Sequence, residues 1–359
     1  MRKHAGSTPV VRTNMSGASV ADDTTLFLER IKMYAYLETS SHDPAFNLAF
    51  EEYCLLNLTE YPRIILLWQN KNAIIIGRYQ NAINEVDQRA VKSQGAKVIR
   101  RSTGGGAVYH DLGNLNYSFI TPAHGLTSVD LATVAQPLIT ALNKMGIGAE
   151  VSGRNDIVLN GYKISGTAQC LRKDRLLHHG TLLYSTDFSI MSKLLTVDTT
   201  KLMSKGVKSI SSRVGNIKDL MYWDKSILDF WQELRAAFPQ LHQISLSEKQ
   251  ISEVKTLAQS KYSSWEWNYG KAPGYSIFNS KRFSGGKVEV NLEVKKGIIS
   301  NISISGDFLG LVPLLDLEQA LIGLRYERDT VALTLAAMPL SLYLGSISTD
   351  EFLSCLFFE

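Results

Sequence analysis

A glycine-rich segment carries the clearest chemical signal in the chain. Residues 100–118 read Arg-Arg-Ser-Thr-Gly-Gly-Gly-Ala-Val-Tyr-His-Asp-Leu-Gly-Asn-Leu-Asn-Tyr-Ser. Consecutive glycines leave the backbone N–H groups unshielded, so a ligand can approach them closely, and they are costly to order. Arg100 and Arg101 add positive charge that suits a carboxylate or a phosphate. We expect a strand from Val98 to Ser102 and a second strand from Asn116 to hold this loop.

The glycines alone do not identify a ligand. A glycine-rich hairpin with solvated arginines is the simplest alternative for Gly104–Gly106. No Gly-Lys-(Ser/Thr) follows, so the loop is not a Walker A motif. No helix is expected at the third glycine, so it is not a dinucleotide fingerprint either. A nucleotide bound here must be held in another way.

A second candidate is a hairpin around Asn160-Gly161, a favoured two-residue turn. Two strands joined there bring Asp156 and Lys163 near each other. Taken alone, such a pair is an ordinary surface ion pair. Beside an anionic substrate, however, the lysine would offset negative charge that grows during a reaction.

Three further segments have both a structural and a functional interpretation. They are His178-His179-Gly-Thr-Leu-Leu, the basic and serine-rich residues 202–217, and a predicted helix with Leu48 that precedes Trp68. The structural interpretations are a packed histidine, a solvated loop and a hydrophobic core. For Glu51 and Glu52 we expect structural pairing rather than general-acid chemistry.

Together these motifs resemble the lipoate–protein ligases of the two-domain A type. The resemblance rests on the loop pattern Arg-Arg-(Ser/Thr)-(Ser/Thr)-Gly-Gly-Gly-Ala-Val-(Tyr/Phe)-His-Asp, on Lys-Ile-Ser-Gly-Thr-Ala, on His-His-Gly-Thr-Leu-Leu and on Lys-Gly-x-x-Ser-x-x-Ser-Arg-Val-x-Asn, and covers residues 34–359. It implies an α+β fold. The catalytic domain would have the mixed sheet shared with biotin protein ligases and related to class II aminoacyl-tRNA synthetases, followed by a small α+β C-terminal domain.

The resemblance also implies roles for individual residues. Lys163 would be the catalytic lysine. The lipoate site would comprise Leu48, Phe50, Trp68, Arg101, Ser102, Thr103, Gly104, Gly105, Gly106 and His179. The ATP or adenylate site would comprise Arg101, Gly106, Ala107, Val108, Tyr109, His110, Asn114, Asn155, Asp156, Lys163, Gly180, Thr181, Lys205, Ser209 and Arg213. Asp156 would bind Mg²⁺, and residues 202–216 would close over the nucleotide and exclude water.

The implied activity uses ATP and Mg²⁺ to convert lipoate to lipoyl-AMP. The lipoyl group then passes to a lysine of acceptor lipoyl domains, in 2-oxoacid dehydrogenase complexes and the glycine cleavage H protein. Two alternatives remain open: an octanoyl or lipoyl transferase with Cys170 as a thioester nucleophile, and a non-catalytic protein that binds lipoyl domains. Lipoate-dependent ATP–pyrophosphate exchange separates the three.

Composition limits the remaining possibilities. The chain has 359 residues, 45% of them hydrophobic, with a net charge of +4 and three scattered cysteines. We therefore expect no nucleic acid or membrane partner, a monomer, and a reducing, cytoplasmic setting. Residues 1–32 are predicted to be a disordered or expression-derived leader, unless they act as a mitochondrial transit segment. Residues 33–270 would form the catalytic domain and 271–359 the accessory domain.

Several local elements follow from the residue pattern. Ile64 to Trp68 and Ala73 to Gly77 are predicted to form a hairpin, and Glu85 to Gln94 a single helix. A helix from about Ser128 to Met145 is expected to break or kink at Pro137. Alternating residues from Val288 to Val294 predict a C-terminal hairpin. Lys271 to Tyr275 would be a joint on which the small domain swings when nucleotide binds, which would admit the acceptor.

Overall fold

The computed structural model describes residues 34–80, 82–123, 128–195, 214–268, 277–295, 298–326 and 328–357. Up to residue 268 the elements are, in chain order, β1 (Tyr34–Glu38), α1 (Pro44–Asn57), β2 (Ile64–Trp68), β3 (Ala73–Ile76), α2 (Ala82–Glu85), α3 (Gln88–Gln94), β4 (Lys97–Arg100), β5 (Val108–His110), β6 (Asn114–Pro122), α4 (Leu131–Lys144), β7 (Ala149–Ser152), β8 (Asp156–Leu159), β9 (Tyr162–Arg172), β10 (Arg175–Leu183), α5 (Phe188–Leu194), α6 (Ile217–Leu220), α7 (Ile227–Ala237), β11 (Leu241–Gln243), α8 (Glu248–Leu257), a π-helical turn (Ala258–Tyr262) and α9 (Trp265–Asn268). The C-terminal elements are β12 (Ile277–Phe283), β13 (Gly286–Lys295), β14 (Ile298–Gly306), α10 (Leu315–Leu321), α11 (Arg328–Ala336), α12 (Leu340–Leu344) and α13 (Thr349–Leu356).

A mixed eight-stranded sheet organises the large domain, in the order β11-β1-β2-β6-β10-β9-β8-β7. β1 runs parallel to β2 and β11, and the other neighbours are antiparallel. One face packs against α4 and α7 and the other against α1. The α+β fold with a mixed sheet is therefore confirmed. Among the described helices, none is long and apolar enough to cross a membrane.

A second sheet, β4-β3-β5, holds the glycine loop between β4 and β5. The predicted β2–β3 hairpin is wrong, because β3 pairs with β4 and β5 instead. Both strands are buried along their whole length, so no alternation of polar and apolar residues marked their partners. Between them Gln69 and Asn70 are buried, and Asn72 adopts φ 48°, which turns the chain into the second layer.

Two predicted helices also differ in detail. The single helix expected for residues 85–94 is two short ones, α2 and α3, although Gly95 ends the second with φ +60° as its position suggested. α4 is one continuous element with Pro137 inside it. The proline removes a single backbone donor, and the buried face of the helix stays continuous across it.

The small C-terminal domain contains an antiparallel sheet, β12-β13-β14. The predicted hairpin is confirmed as β13 and β14, with Val288, Val290 and Leu292 buried against its helices. β12, α11 and α12 were not predicted. The proposed joint at 271–275 lies outside the described residues.

Asp43 caps α1 and should stabilise the large domain. Its carboxylate accepts hydrogen bonds from the backbone N–H groups of Ala45 and Phe46 and pairs with Lys97. Burial alone would raise the pKa of this carboxyl, but Lys97 and the helix N–H groups outweigh it and lower the pKa. We expect Asp43→Ala to lower the free energy of unfolding by about 1 kcal/mol, measured by urea denaturation at neutral pH.

Because the folded pKa is lowered, the charge-dependent part of this stabilisation is present above the unfolded pKa of about 3.9 and is lost as the pH falls. Asp43→Asn keeps a cap acceptor and is the matched control. It should lose less stability than alanine and should lack the acid-dependent part. Equal stability of all three proteins would contradict the assignment.

Candidate active site

Lys163 lies over a row of residues that crosses three strands of the large sheet. In the strand registers Asn116 faces Thr181, and Gly180 faces Thr167, so Asn116, Thr181 and Gly166 lie side by side. Lys163 Nζ is 3.2 Å from the point that a Cβ on Gly166 would occupy. A register shift between β8 and β9 brings the lysine to this face. Gly166 thus leaves space for the ammonium group.

Asp156 lies beside this lysine, as the hairpin predicted. Lys163 Nζ and Asp156 Oδ1 are 2.7 Å apart, and about a third of each side chain is exposed. The Asn160-Gly161 turn has positive φ at both residues, 51° and 80°. The two charged groups are in contact, but the contact lacks hydrogen-bond geometry. Asp156 therefore holds the ammonium group nearby without fixing its orientation.

The glycine loop is shaped by the guanidinium of Arg101. Its N–H groups donate to the carbonyl oxygens of Gly104 (2.6 Å), Gly106 (2.8 Å) and Ile75 (3.0 Å) and to Thr103 Oγ1 (2.9 Å). Burial lowers the pKa of Arg101 to about 10, which leaves it charged at neutral pH. Arg101 therefore supports the loop, and its assignment to the lipoate and ATP sites stays a prediction.

The Arg100 guanidinium binds backbone carbonyl oxygens, whereas we expected both arginines to supply charge to an anion. Its side chain donates to the backbone carbonyls of Gly77, Arg78, Gln80, Trp267 and Asn268. Adjacent residues of a strand point to opposite faces, so the two arginines serve different partners. Arg100 ties the second sheet to α9.

A buried hydrogen-bonded chain joins α1 to the loop. His179 Nδ1 lies 2.8 Å from Glu51 Oε1, and His179 Nε2 lies 2.8 Å from Thr103 Oγ1. Since the Glu51 carboxylate can only accept, Nδ1 carries a proton and donates to it, and Nε2 of the neutral ring accepts from the Thr103 hydroxyl. Glu51 also accepts from Ser118 (2.5 Å). The pairing expected for Glu51 is confirmed, and Glu52 likewise pairs with Lys261 and Tyr262.

His110 is held as a neutral imidazole. Asn47 Nδ2 donates to Asn70 Oδ1, so Asn70 Nδ2 donates to His110 Nδ1 and the ring proton sits on Nε2. Burial, followed by the nearby Arg101 cation, lowers the pKa of His110 to about 3. Nε2 has no hydrogen-bond partner among the described residues. It is a buried donor available to a ligand.

The apolar residues assigned to lipoate lie in one hydrophobic cluster. Leu48, Phe50 and Trp68 are all buried between α1 and the large sheet, where Trp68 Nε1 donates to Ser118 Oγ at 3.0 Å. Phe50 also stacks on Phe46, with ring centroids 6.3 Å apart, beside a cleft of about 570 Å³ that Ile244 lines. We call the region between the glycine loop and Trp68, Asn116 and Gly166 the groove, and the assignment of the three apolar residues to lipoate stays a prediction.

The small domain lies directly on the glycine loop. Gly105 N donates to the carbonyl oxygen of Phe308 (2.9 Å), and Leu171 N donates to that of Leu311 (2.6 Å). The rings of Tyr79 and Phe308 stack with centroids 5.1 Å apart. Sequence patterns could not predict these contacts, because they join residues more than 130 positions apart.

Three residues assigned to the ATP or adenylate site lie outside the described residues. They are Lys205, Ser209 and Arg213. Val214, the next described residue, forms a β-bridge with Lys163, and Gly215 N donates to the Lys163 carbonyl at 3.0 Å. The end of the expected lid is therefore attached to the lysine strand.

Similarity to known proteins agrees with this arrangement. Residues 43–239 match the lipoyl protein ligase A/B catalytic domain and residues 272–356 the bacterial lipoate protein ligase C-terminus. Lipoate-protein ligase LplJ from Bacillus subtilis is 40% identical over 322 residues, which are 88% of this chain and 97% of that protein. The chain belongs to the lipoate–protein ligase family. It is thus an enzyme of a family of ligases.

Solved structures of the family share the fold. P. falciparum LipL1, crystallised with lipoate, is 26% identical and covers 89% of this chain and 97% of its own, with a TM-score of 0.72. A lipoate-protein ligase A bound with ATP is 28% identical and covers 66% of this chain and 99% of its own, with a TM-score of 0.55.

Glu51 should contribute strongly to the free energy of unfolding. Glu51→Ala leaves the Ser118 hydroxyl and the His179 N–H unpaired in a buried site, so we expect a loss of about 3 kcal/mol in the free energy of unfolding. Chemical denaturation measures the loss. Glu60→Ala, which removes an exposed glutamate, should change it by less than about 0.5 kcal/mol. Similar values for both variants would show that the buried chain is not formed.

Proposed function

We propose that this protein is an ATP-dependent lipoate–protein ligase that forms lipoyl-AMP and transfers the lipoyl group to a lysine of an acceptor lipoyl domain. The observation that carries the proposal is the ammonium group of Lys163, which lies above Gly166 and beside Asp156, on the sheet face that the glycine loop contacts at His179 and Ala168. An ammonium so placed can stabilise charge on an α-phosphate.

In the first step an oxygen of the lipoate carboxylate attacks the α-phosphorus, and the bond to pyrophosphate breaks. Lys163 offsets the charge that grows on the phosphoryl oxygens. In the second step the acceptor amine attacks the acyl carbon, loses a proton and expels AMP. Neither step needs a nucleophile from the enzyme, so positioning and charge stabilisation carry the reaction.

Mg²⁺ fits this site as part of the Mg·ATP substrate. The described residues contain no group of three His, Cys, Asp or Glu side chains that could form a dedicated metal site. Mg²⁺ often binds through one or two carboxylates and the substrate phosphates. Asp156 is the carboxylate beside Lys163, and Mg²⁺ would neutralise the triphosphate there.

Acceptor recognition would involve the small domain. Its Phe308 carbonyl takes the N–H of Gly105, so this donor becomes available only when that contact opens. This supports the proposal that the small domain controls access for the acceptor. The acceptors would be the lipoyl domains of 2-oxoacid dehydrogenase complexes and the glycine cleavage H protein. The described cysteines are free, which fits action in the cytoplasm.

The transferase alternative depends on Cys170. This thiol is buried, and burial raises its pKa. Its described hydroxyl neighbour is Ser102, with Oγ 4.0 Å from Sγ. A thioester nucleophile needs the thiolate, which these surroundings disfavour. The ligase is therefore the better-supported function.

Lys163→Ala should abolish most of the first step. We expect lipoate-dependent ATP–pyrophosphate exchange to fall by two orders of magnitude or more, equivalent to about 3 kcal/mol, because one preorganised charge donor is lost. Lys193→Ala, which removes an exposed lysine on α5, is the matched control and should keep full exchange. Exchange near the wild-type rate in Lys163→Ala would contradict the assignment of Lys163 as the catalytic lysine.

Cys170→Ala should leave ligation nearly intact, because the thiol takes no part in the two steps. The measurement is lipoylation of an acceptor domain with lipoate and ATP, followed by mass spectrometry. A loss of transfer, together with an acyl thioester trapped on wild-type Cys170, would favour the transferase.

A further inference from the structure

The groove floor holds a buried amide that no assigned role explains. Asn116 is 1% exposed. Asn114 Nδ2 donates to Asn116 Oδ1 at 2.9 Å, while Asn116 Nδ2 has no hydrogen-bond partner among the described residues. A buried donor without a partner destabilises the fold, so its presence indicates that a ligand supplies the acceptor.

The position of Asn116 limits what that acceptor can be. Asn116, Thr181 and Gly166 lie side by side across β6, β10 and β9. Neighbouring strands are about 4.8 Å apart, so Asn116 is roughly 10 Å from Gly166, over which the Lys163 ammonium lies. A group between them would meet the ammonium on one side and the amide on the other.

Thr181 and Gly166 lie between Asn116 and the ammonium group. Gly166 has no side chain, and Thr181 Oγ1 accepts from Gly166 N at 3.2 Å, which draws the hydroxyl towards the floor. Two hydrogen bonds of about 2.8 Å and the width of a carboxyl group fill a gap of this order. A carboxylate therefore matches the separation and the chemistry of both ends.

A second buried donor belongs to a residue that contacts Trp68, the strand neighbour of Asn116. Trp68 faces Asn116 in the strand register, and its ring packs edge-on against that of His110, with centroids 6.2 Å apart. His110 Nε2–H also lacks a partner among the described residues. Two residues with unpartnered donors therefore adjoin Trp68, which indicates that this part of the groove receives a polar group.

We propose that Asn116 is a substrate-binding residue that donates from Nδ2 to the carboxyl group of the acyl substrate, opposite Lys163. The inference rests on the proposed ligase function and adds a residue to it. Asn116 would orient the carboxylate for attack on the α-phosphorus and would hold the acyl oxygen of the adenylate.

The test measures lipoate affinity and nucleotide use separately. Calorimetry without ATP gives the Kd for lipoate, and pyrophosphate exchange gives KM for lipoate and for ATP. Asn116→Ala should raise the lipoate Kd and KM by about 10- to 100-fold, the range for a lost hydrogen bond to a charged group. KM for ATP should not change.

Asn116→Asp keeps the side-chain volume and the acceptor for Asn114 Nδ2, so it tests the idea even if the alanine variant does not fold. It should weaken lipoate binding more than the alanine variant does, because it places the aspartate carboxylate against the carboxylate of lipoate. Thr167→Val is the matched control. It removes another buried unpartnered oxygen, Thr167 Oγ1, from the opposite face of the same sheet, and should leave both KM values unchanged.

Wild-type lipoate affinity in folded Asn116→Ala and Asn116→Asp would overturn the proposal. A rise in KM for ATP alone would also overturn it, since the donor would then serve the nucleotide. If the wild-type protein neither binds lipoate nor catalyses exchange, the ligase function itself fails. Those two failures are distinguishable because the wild type is measured first.

Discussion

The buried guanidinium of Arg101 determines what the glycine loop can offer a ligand. It binds the carbonyl oxygens of Gly104 and Gly106, so these two acceptors are already used within the loop. A guanidinium suits this task because its donors form a planar fork and it stays charged when its pKa falls to about 10. An ammonium group would lack both the planar geometry and the number of donors.

Glu51 is the counterpart of Arg101 and extends its effect through the large domain. Its carboxylate attracts the guanidinium and binds Ser118 on β6 and His179 on β10. The loop, α1 and the sheet therefore form one hydrogen-bonded unit before substrate arrives. Such preorganisation would serve the proposed reaction, which uses no enzyme nucleophile, because fixed dipoles need not reorganise during charge transfer.

Contacts between residues close in the sequence could be predicted, whereas contacts between distant residues could not. Asn160-Gly161 forces a tight hairpin, so the meeting of Asp156 and Lys163 followed from local chemistry. By contrast, Arg100 and Arg101 look alike in the sequence. Their separation into an anchor for α9 and a support for the loop depends on residues up to 168 positions away. The pairing of β3 was equally hidden, since its uniform apolar run fits any buried neighbour.

Unpaired polar groups in the groove explain why part of the fold is not optimised for stability. Asn116 Nδ2 and His110 Nε2 are buried without partners among the described residues, and apolar side chains of similar size would avoid that cost. In the proposed carboxylate contact, Asn116 Nδ2 gains its hydrogen bond only when an acceptor enters. Because that gain requires a polar ligand end, the proposed contact would discriminate an acid from a hydrocarbon of the same shape. Apolar contacts alone could not do so, since each buried methylene contributes about 0.8 kcal/mol whatever the end group. Under this proposal, stability given up in the fold becomes binding energy that selects the substrate.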